Sequence, residues 1–135
     1  MANSQNALSD IADRVLKGVP ATATIFCSDG ATVNSGAAAV QIKAAVTGKR
    51  HWICWWNLVN KTAGEYPVAE LTEDHAGTPV IKARATASAG VSTGLGTSHI
   101  VFDPPIEITA GKTIGYQLQS ATGDTYASIG GYVES

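Results

Sequence analysis

The sequence predicts an all-β protein, an antiparallel β-sandwich or jelly roll over 21–135, carried behind a short N-terminal helical arm over 1–20. Three observations lead there. Helical periodicity occurs once, over residues 8–19. From residue 21 onward, seven to nine short β-rich runs alternate with turn signals, the rhythm of a sandwich or jelly roll. Ala, Thr, Gly and Ser supply 59 of the 135 residues, which suits short strands, tight turns and close subunit contacts, while a hydrophobic content of 44% is too high for a disordered chain. At this length the strands make one domain with a real core.

In the helix, Leu8, Ile11, Ala12, Val15, Leu16 and Val19 form a single apolar stripe. Ser4 or Asn6 caps its start, and Gly18 with Pro20 ends it. Asp10 and Asp13 near the start and Lys17 near the end complement the helix dipole. About three turns are marginal alone in water, so the stripe must dock on its own sandwich, on a sister subunit or on a partner.

Thr22–Cys27 is the first strand and stops at a Ser28-Asp29-Gly30 turn. Ala37–Val46 follows and ends at Thr47-Gly48-Lys49, and a tryptophan-rich strand begins at His51. Residues 60–78 read as a long polar connection holding one short strand around Tyr66–Leu71. Val80–Ala87 alternates, with Ile81, Ala83, Ala85 and Ala87 on its apolar face. Residues 89–97 are a glycine-rich loop. His99–Phe102 is a short strand closed by Asp103-Pro104-Pro105. Ile106–Thr109 comes next, then Ile114–Gln119 after the Ala110-Gly111-Lys112 turn, and Thr125–Val133 is last.

All three tryptophans lie within His51-Trp-Ile-Cys-Trp-Trp-Asn-Leu-Val59. Strict alternation along a strand sends Trp52, Cys54, Trp56 and Leu58 to one face and His51, Ile53, Trp55 and Asn57 to the other. A two-layer sandwich buries one face of each sheet. The first set reads as core. The second, still partly apolar, reads as covered by a neighbouring subunit, because Trp is favoured at interface centres. A sugar-stacking platform built from Trp52 and Trp56 is the competing reading, disfavoured by their neighbours Cys54 and Leu58.

Charged residues are 15% of the chain, against roughly 25% in an average soluble protein. A sizeable share of the surface is therefore expected to be covered in an assembly. The net charge of −2 with no Lys/Arg run argues against a nucleic-acid or anionic-membrane partner. The polar opening Met-Ala-Asn-Ser-Gln is no signal peptide, and no run approaches the ~20 apolar residues of a membrane helix, so synthesis in a reducing cytoplasm is expected. Cys27 and Cys54 then read as buried thiols and not as a disulfide.

No chemistry-bearing pattern stands out. His51, His75 and His99 lack the His-x-His or His–carboxylate pairing that metal-binding sandwiches use, Asp74-His75 excepted, so no metal is expected. There is no Gly-x-Ser-x-Gly elbow, and neither cysteine has an activating neighbour. Glu65, Glu70, Glu73, Asp74 and Glu107 read as solvated surface, not as a glycosidase pair. Gly94-Leu95-Gly96 lacks the Lys-Ser/Thr and following helix of a phosphate cradle. The expectation is a protein that is not an enzyme and holds no cofactor.

The last third prompts a comparison. Phe102-Asp-Pro-Pro-Ile-Glu-Ile-Thr-Ala-Gly-Lys-Thr-Ile-Gly-Tyr-Gln-Leu118 resembles the closing strands of small viral jelly rolls, and Ser128-Ile-Gly-Gly-Tyr-Val-Glu134 resembles their final strand, which ends near a trimer axis. With the small-residue composition, the chain is similar to the decoration (cement) proteins of tailed bacteriophage capsids. Tumour-necrosis-factor-like and fibre-knob trimers share the closing pattern. The resemblance implies a homotrimer on the outer capsid surface of the virion, bound to the major capsid protein. The expected oligomer interface is Trp55, Ile53, His51 and Tyr132, and the partner-binding arm presents Leu8, Ile11, Val15 and Leu16. A receptor- or carbohydrate-binding module of a phage tail or similar particle is the alternative.

Overall fold

The computed structural model describes residues 19–20, 22–33, 39–62, 66–74, 76–87, 96–119 and 124–134. The arm through residue 18, with Leu8, Ile11, Val15 and Leu16, lies outside the described residues, as do His75 and most of the glycine-rich loop. Eight strands are described: β1 (Thr24–Val33), β2 (Val40–Lys43), β3 (His51–Asn60), β4 (Val68–Glu73), β5 (Val80–Thr86), β6 (Gly96–Ile108), β7 (Ile114–Leu118) and β8 (Thr125–Val133). One sheet has the order β1-β8-β3-β6 and the other β2-β7-β4-β5. Every ladder is antiparallel, and β1 pairs β8, β2 pairs β7, β3 pairs β6 and β4 pairs β5. The chain is thus one long hairpin rolled so that successive strand pairs fall in alternate sheets. That is the double-sheet jelly roll expected from the sequence.

The facing sheets enclose Ile53, Trp56, Leu58, Ala69, Leu71, Ile108, Ile114, Tyr116, Ala127 and Ile129, all fully buried. Tyr116 on β7 also donates a hydrogen bond to the Thr125 carbonyl on β8, 3.0 Å away, tying one sheet to the other. Two turns form where glycine signals placed them. Lys49 N bonds Val46 O with Gly48 at φ +69°, and Lys112 N bonds Thr109 O with Gly111 at φ +75°. Gly111 N then bonds Lys49 O, joining the turns.

Several expectations are corrected. Ser28-Asp29-Gly30 does not end β1; the strand continues through a register shift between Ser28 and Ala31. The runs His99–Phe102 and Ile106–Thr109 are one strand, β6, interrupted at Asp103-Pro104-Pro105, where the Asp103–Pro104 bond is cis. Proline is tolerated because residues 102–105 fall between the paired residues Val101 and Ile106, outside the ladder to β3, on a strand that is an edge among the described residues. The strand sought at Tyr66–Leu71 is β4, an interior strand buried from Ala69 to Glu73. Its polar residues hid it. Glu70 is held by Arg84 Nε at 2.8 Å and Gln117 Nε2 at 2.7 Å. Glu73 accepts from Thr109 N at 2.9 Å and lies 3.5 Å from Lys82 Nζ. The Gln117 hydrogen bond, then Arg84, holds the Glu70 carboxyl below its usual range against the opposing effect of burial. On β5, Ala83 and Ala85 face inward, as does Ala87 just beyond it, but Ile81 is exposed, because a register shift opposite Leu71/Thr72 puts Lys82 out of the pairing.

Candidate functional site: the outer face of the tryptophan sheet

The alternation expected for β3 breaks at one residue. Ile53 and Trp55 pair with the consecutive residues Gly131 and Gly130 of β8, which leaves Cys54 as an extra residue. A bulge of this kind moves every later side chain to the opposite face. His51, Ile53, Trp56, Leu58 and Asn60 are buried, and Trp52, Cys54, Trp55, Asn57 and Val59 are partly exposed. Trp52 and Trp56 therefore lie on opposite faces, and the platform built from that pair does not exist. Of the expected interface residues, His51 and Ile53 are fully buried within the chain, so neither side chain offers surface to a neighbour.

Two rows cross the outer face of this sheet. Strand register sets Ile25, Tyr132, Trp52 and Glu107 side by side, and next to them Cys27, Gly130, Trp55 and Val101. Ile25 and Val101, at opposite edges, are 54% and 67% exposed, and between them Trp52 and Trp55 are partly exposed. The Trp52 ring stacks with Tyr132, centroids 6.2 Å apart and planes 15° from parallel. Its Nε1 donates to Glu134 Oε1 at 2.9 Å, which fixes the ring. Burial, then Cys54 and Glu134, raises the Tyr132 phenol above its usual range.

Trp55 lies across Gly130. A Cβ built on that glycine would stand 2.2 Å from the indole Cε2, so only glycine leaves the ring its place. Gly131 meets a harder obstacle, because its Cβ would fall 1.9 Å from the Trp52 carbonyl oxygen. His99 tilts against Trp55 with centroids 6.1 Å apart, and its Nδ1 contacts Asn57 Oδ1. Among the described residues, charge lies at the rim, at Glu134 and at Glu107, whose Oε1 is 3.3 Å from Arg50 Nε.

Of the expected interface residues only Trp55 offers appreciable surface. Tyr132 lies on the same face but is 6% exposed, covered in part by the Trp52 ring. Trp52, Ile25 and Val101, which sequence reasoning did not group with Trp55, supply the rest. The signal for the bulge was the presence of bulky apolar residues at both parities of β3. The two adjacent glycines of β8 acquire meaning only once their partners are known. Cys27 and Cys54 are not joined in a disulfide, but neither is buried as expected: Cys27 is exposed and Cys54 half-buried on the bulge. Cys27 opposes Gly130 on the outer face and Ile25 shares that face, whereas Ala23 is buried and Phe26 packs against the core, so the apolar character of this segment serves both faces.

His51 sits at the inner end of β3, edge-on to Phe26 with centroids 5.5 Å apart. Lys43 Nζ stands 5.1 Å from the Phe26 ring centre. Among the described residues, neither ring nitrogen of His51 has a hydrogen-bond partner. Burial first, and then Lys43, lowers its pKa, which favours the neutral imidazole. Among the described residues no three His, Cys, Asp or Glu side chains are grouped as a metal site requires.

No protein-family model matches the chain, and no curated protein does. Among solved structures, one titled "Structure of infectious bursal disease virus Gt strain" aligns with 85% of this chain at 16% identity and a TM-score of 0.30. The chain covers 33% of the length of that one. A score this low carries no weight for fold or function, and the strand order above establishes the fold.

Proposed function

We propose that this chain is a non-enzymatic structural protein of a virion: a homotrimer that decorates the outer capsid shell and stabilises it by binding the major capsid protein. The outer face of the tryptophan sheet carries the reading. Trp52, Trp55, Ile25 and Val101 form a band of aromatic and aliphatic surface backed by the buried Tyr132 ring, with charge among the described residues at its rim, the anatomy of a subunit contact. The jelly-roll strand order and the low charge content agree with it, and the resembling segments fall on β6, β7 and β8. Such a protein is made in the host cytoplasm and resides on the capsid surface. Light scattering on a sizing column should give three times 13.9 kDa. A clean monomer at micromolar concentration would remove the support for both the trimer and the interface.

A second reading, a receptor- or carbohydrate-binding module, gains from one observation. Trp52 and Trp55 share an outer face with the polar groups of Asn57, His99 and Glu134 beside them, and Trp55 lies across glycine with its ring over the sheet. A neutral-sugar titration followed by tryptophan fluorescence tests it. Saturable quenching that Trp55→Ala abolishes, in a protein that stays monomeric, favours this reading over the first.

A further inference from the structure

Sheet edges invite pairing with other chains, and proteins blunt them with charge, proline, bulges or brevity. Three of the four edges here are blunted. β2 is four residues long and contains Lys43. β5 carries Lys82 and Arg84 and a register shift. β1 is broken by its shift between Ser28 and Ala31. The fourth differs. Before Asp103-Pro104-Pro105, β6 runs seven residues, Gly96-Thr-Ser-His-Ile-Val-Phe102, with no Lys, Arg, Asp, Glu or Pro. Among the described residues it pairs only with β3. Val101 is its most exposed apolar residue, and the core-facing Ile100 and Phe102 are only partly buried. An added strand would complete their cover.

We propose that this edge is a pairing surface for the β6 edge of a second copy of the chain, antiparallel across a two-fold axis at His99. The segment fits itself in that register. Gly96 faces Phe102, Thr97 faces Val101 and Ser98 faces Ile100, so each bulky side chain meets a small one, and His99 meets its own copy. Cross-strand neighbours stand close enough for such size matching to matter. No charge has to be desolvated along the seven residues, and the proline-bearing stretch after Phe102 stops the pairing from extending. The result is one continuous sheet of eight strands, linking two protomers, or two trimers if protomers are already gathered in threes.

Cysteine cross-linking in a Cys27→Ser, Cys54→Ser background tests the register, because directly opposed cross-strand residues fall within disulfide reach. His99→Cys should form a covalent dimer under mild oxidation. Thr97→Cys should form none with itself, and mixed with a Val101→Cys variant it should form the heterodimer. In the wild type, hydrogen exchange at residues 97–101 should slow as concentration rises, and Thr97→Lys, which places a charge on the edge, should weaken the pairing at least tenfold. Absence of a His99→Cys dimer together with concentration-independent exchange overturns the proposal. Protection that arises only on addition of capsid particles also overturns it, by assigning the edge to a different strand. The trimer reading fails separately, through Trp55→Ala and the mass of the Thr97→Lys protein.

Discussion

At the residue scale, His51 makes stability depend on pH. Its folded-state pKa lies below the ordinary value of 6.5, so the unfolded chain takes up the proton more readily. Stability from this residue is complete above that value. It falls as the pH drops from there toward the lowered folded-state pKa, below which the loss is complete. His51→Leu should flatten that slope in denaturant midpoints measured between about pH 5 and pH 8. Because both ring nitrogens are unpartnered, it should also stabilise the neutral-pH protein by about 1 kcal/mol. A slope that persists in His51→Leu would assign the acid sensitivity elsewhere. The β8 glycines separate two kinds of crowding. Gly131→Ala drives a methyl group into backbone and should cost about 2–3 kcal/mol in chemical denaturation. Gly130→Ala meets a side chain that can swing away, so it should cost less stability but displace Trp55 and weaken assembly.

At the element scale, the bulge at Cys54 decides which tryptophan does what. Trp56→Ala should act as a core truncation costing roughly 3–5 kcal/mol. Trp55→Ala should leave a folded protein of lower mass, and equal unfolding by both substitutions would refute the division of roles. The bulge also predicts an asymmetry between deletions. Removing Cys54 restores regular alternation with every inward residue still inward, so that chain should fold with a loss under about 2 kcal/mol. Removing Asn57 turns Leu58 outward, and each large apolar side chain lost from the core is worth about 1.5–3 kcal/mol, so that chain should not fold. Circular dichroism melts of the two deletions check this directly.

At the scale of the whole molecule, the described residues of the jelly roll present one broad apolar face and an edge strand without charge before Asp103, and the proposed assembly would cover both. The N-terminal stripe read from the sequence is proposed to add a further contact. Deleting residues 1–19 should leave folding and assembly intact and abolish co-sedimentation with the particle. The basis is that Leu8, Ile11, Val15 and Leu16 can offset the ordering cost of a short helix only by being buried. If the truncated chain unfolds or falls to monomers, the stripe belongs to the domain or to the trimer, and attachment must be sought in the loops.

Local signals sufficed for much of the fold. The turns at Gly48 and Gly111 and the span of β8 follow from the sequence because glycine's conformational freedom and the β-propensity of a run act over a few residues. The jelly-roll class follows from strand number and spacing. What sequence alone left undecided depends on partners distant along the chain. β4 looked like a connection because its carboxylates are satisfied by Arg84, Gln117 and Thr109, which lie 14, 47 and 36 residues away. The faces of β3 were reversed for His51 and Ile53 because a bulge is a property of pairing: Cys54 becomes the extra residue only when Gly131 and Gly130 have taken Ile53 and Trp55 as neighbours. The sequence by itself determined that aromatic residues crowd one strand. Only the tertiary structure decided which of them form the core and which the outer surface, because a one-residue slip exchanges the two faces of a strand at no change in composition.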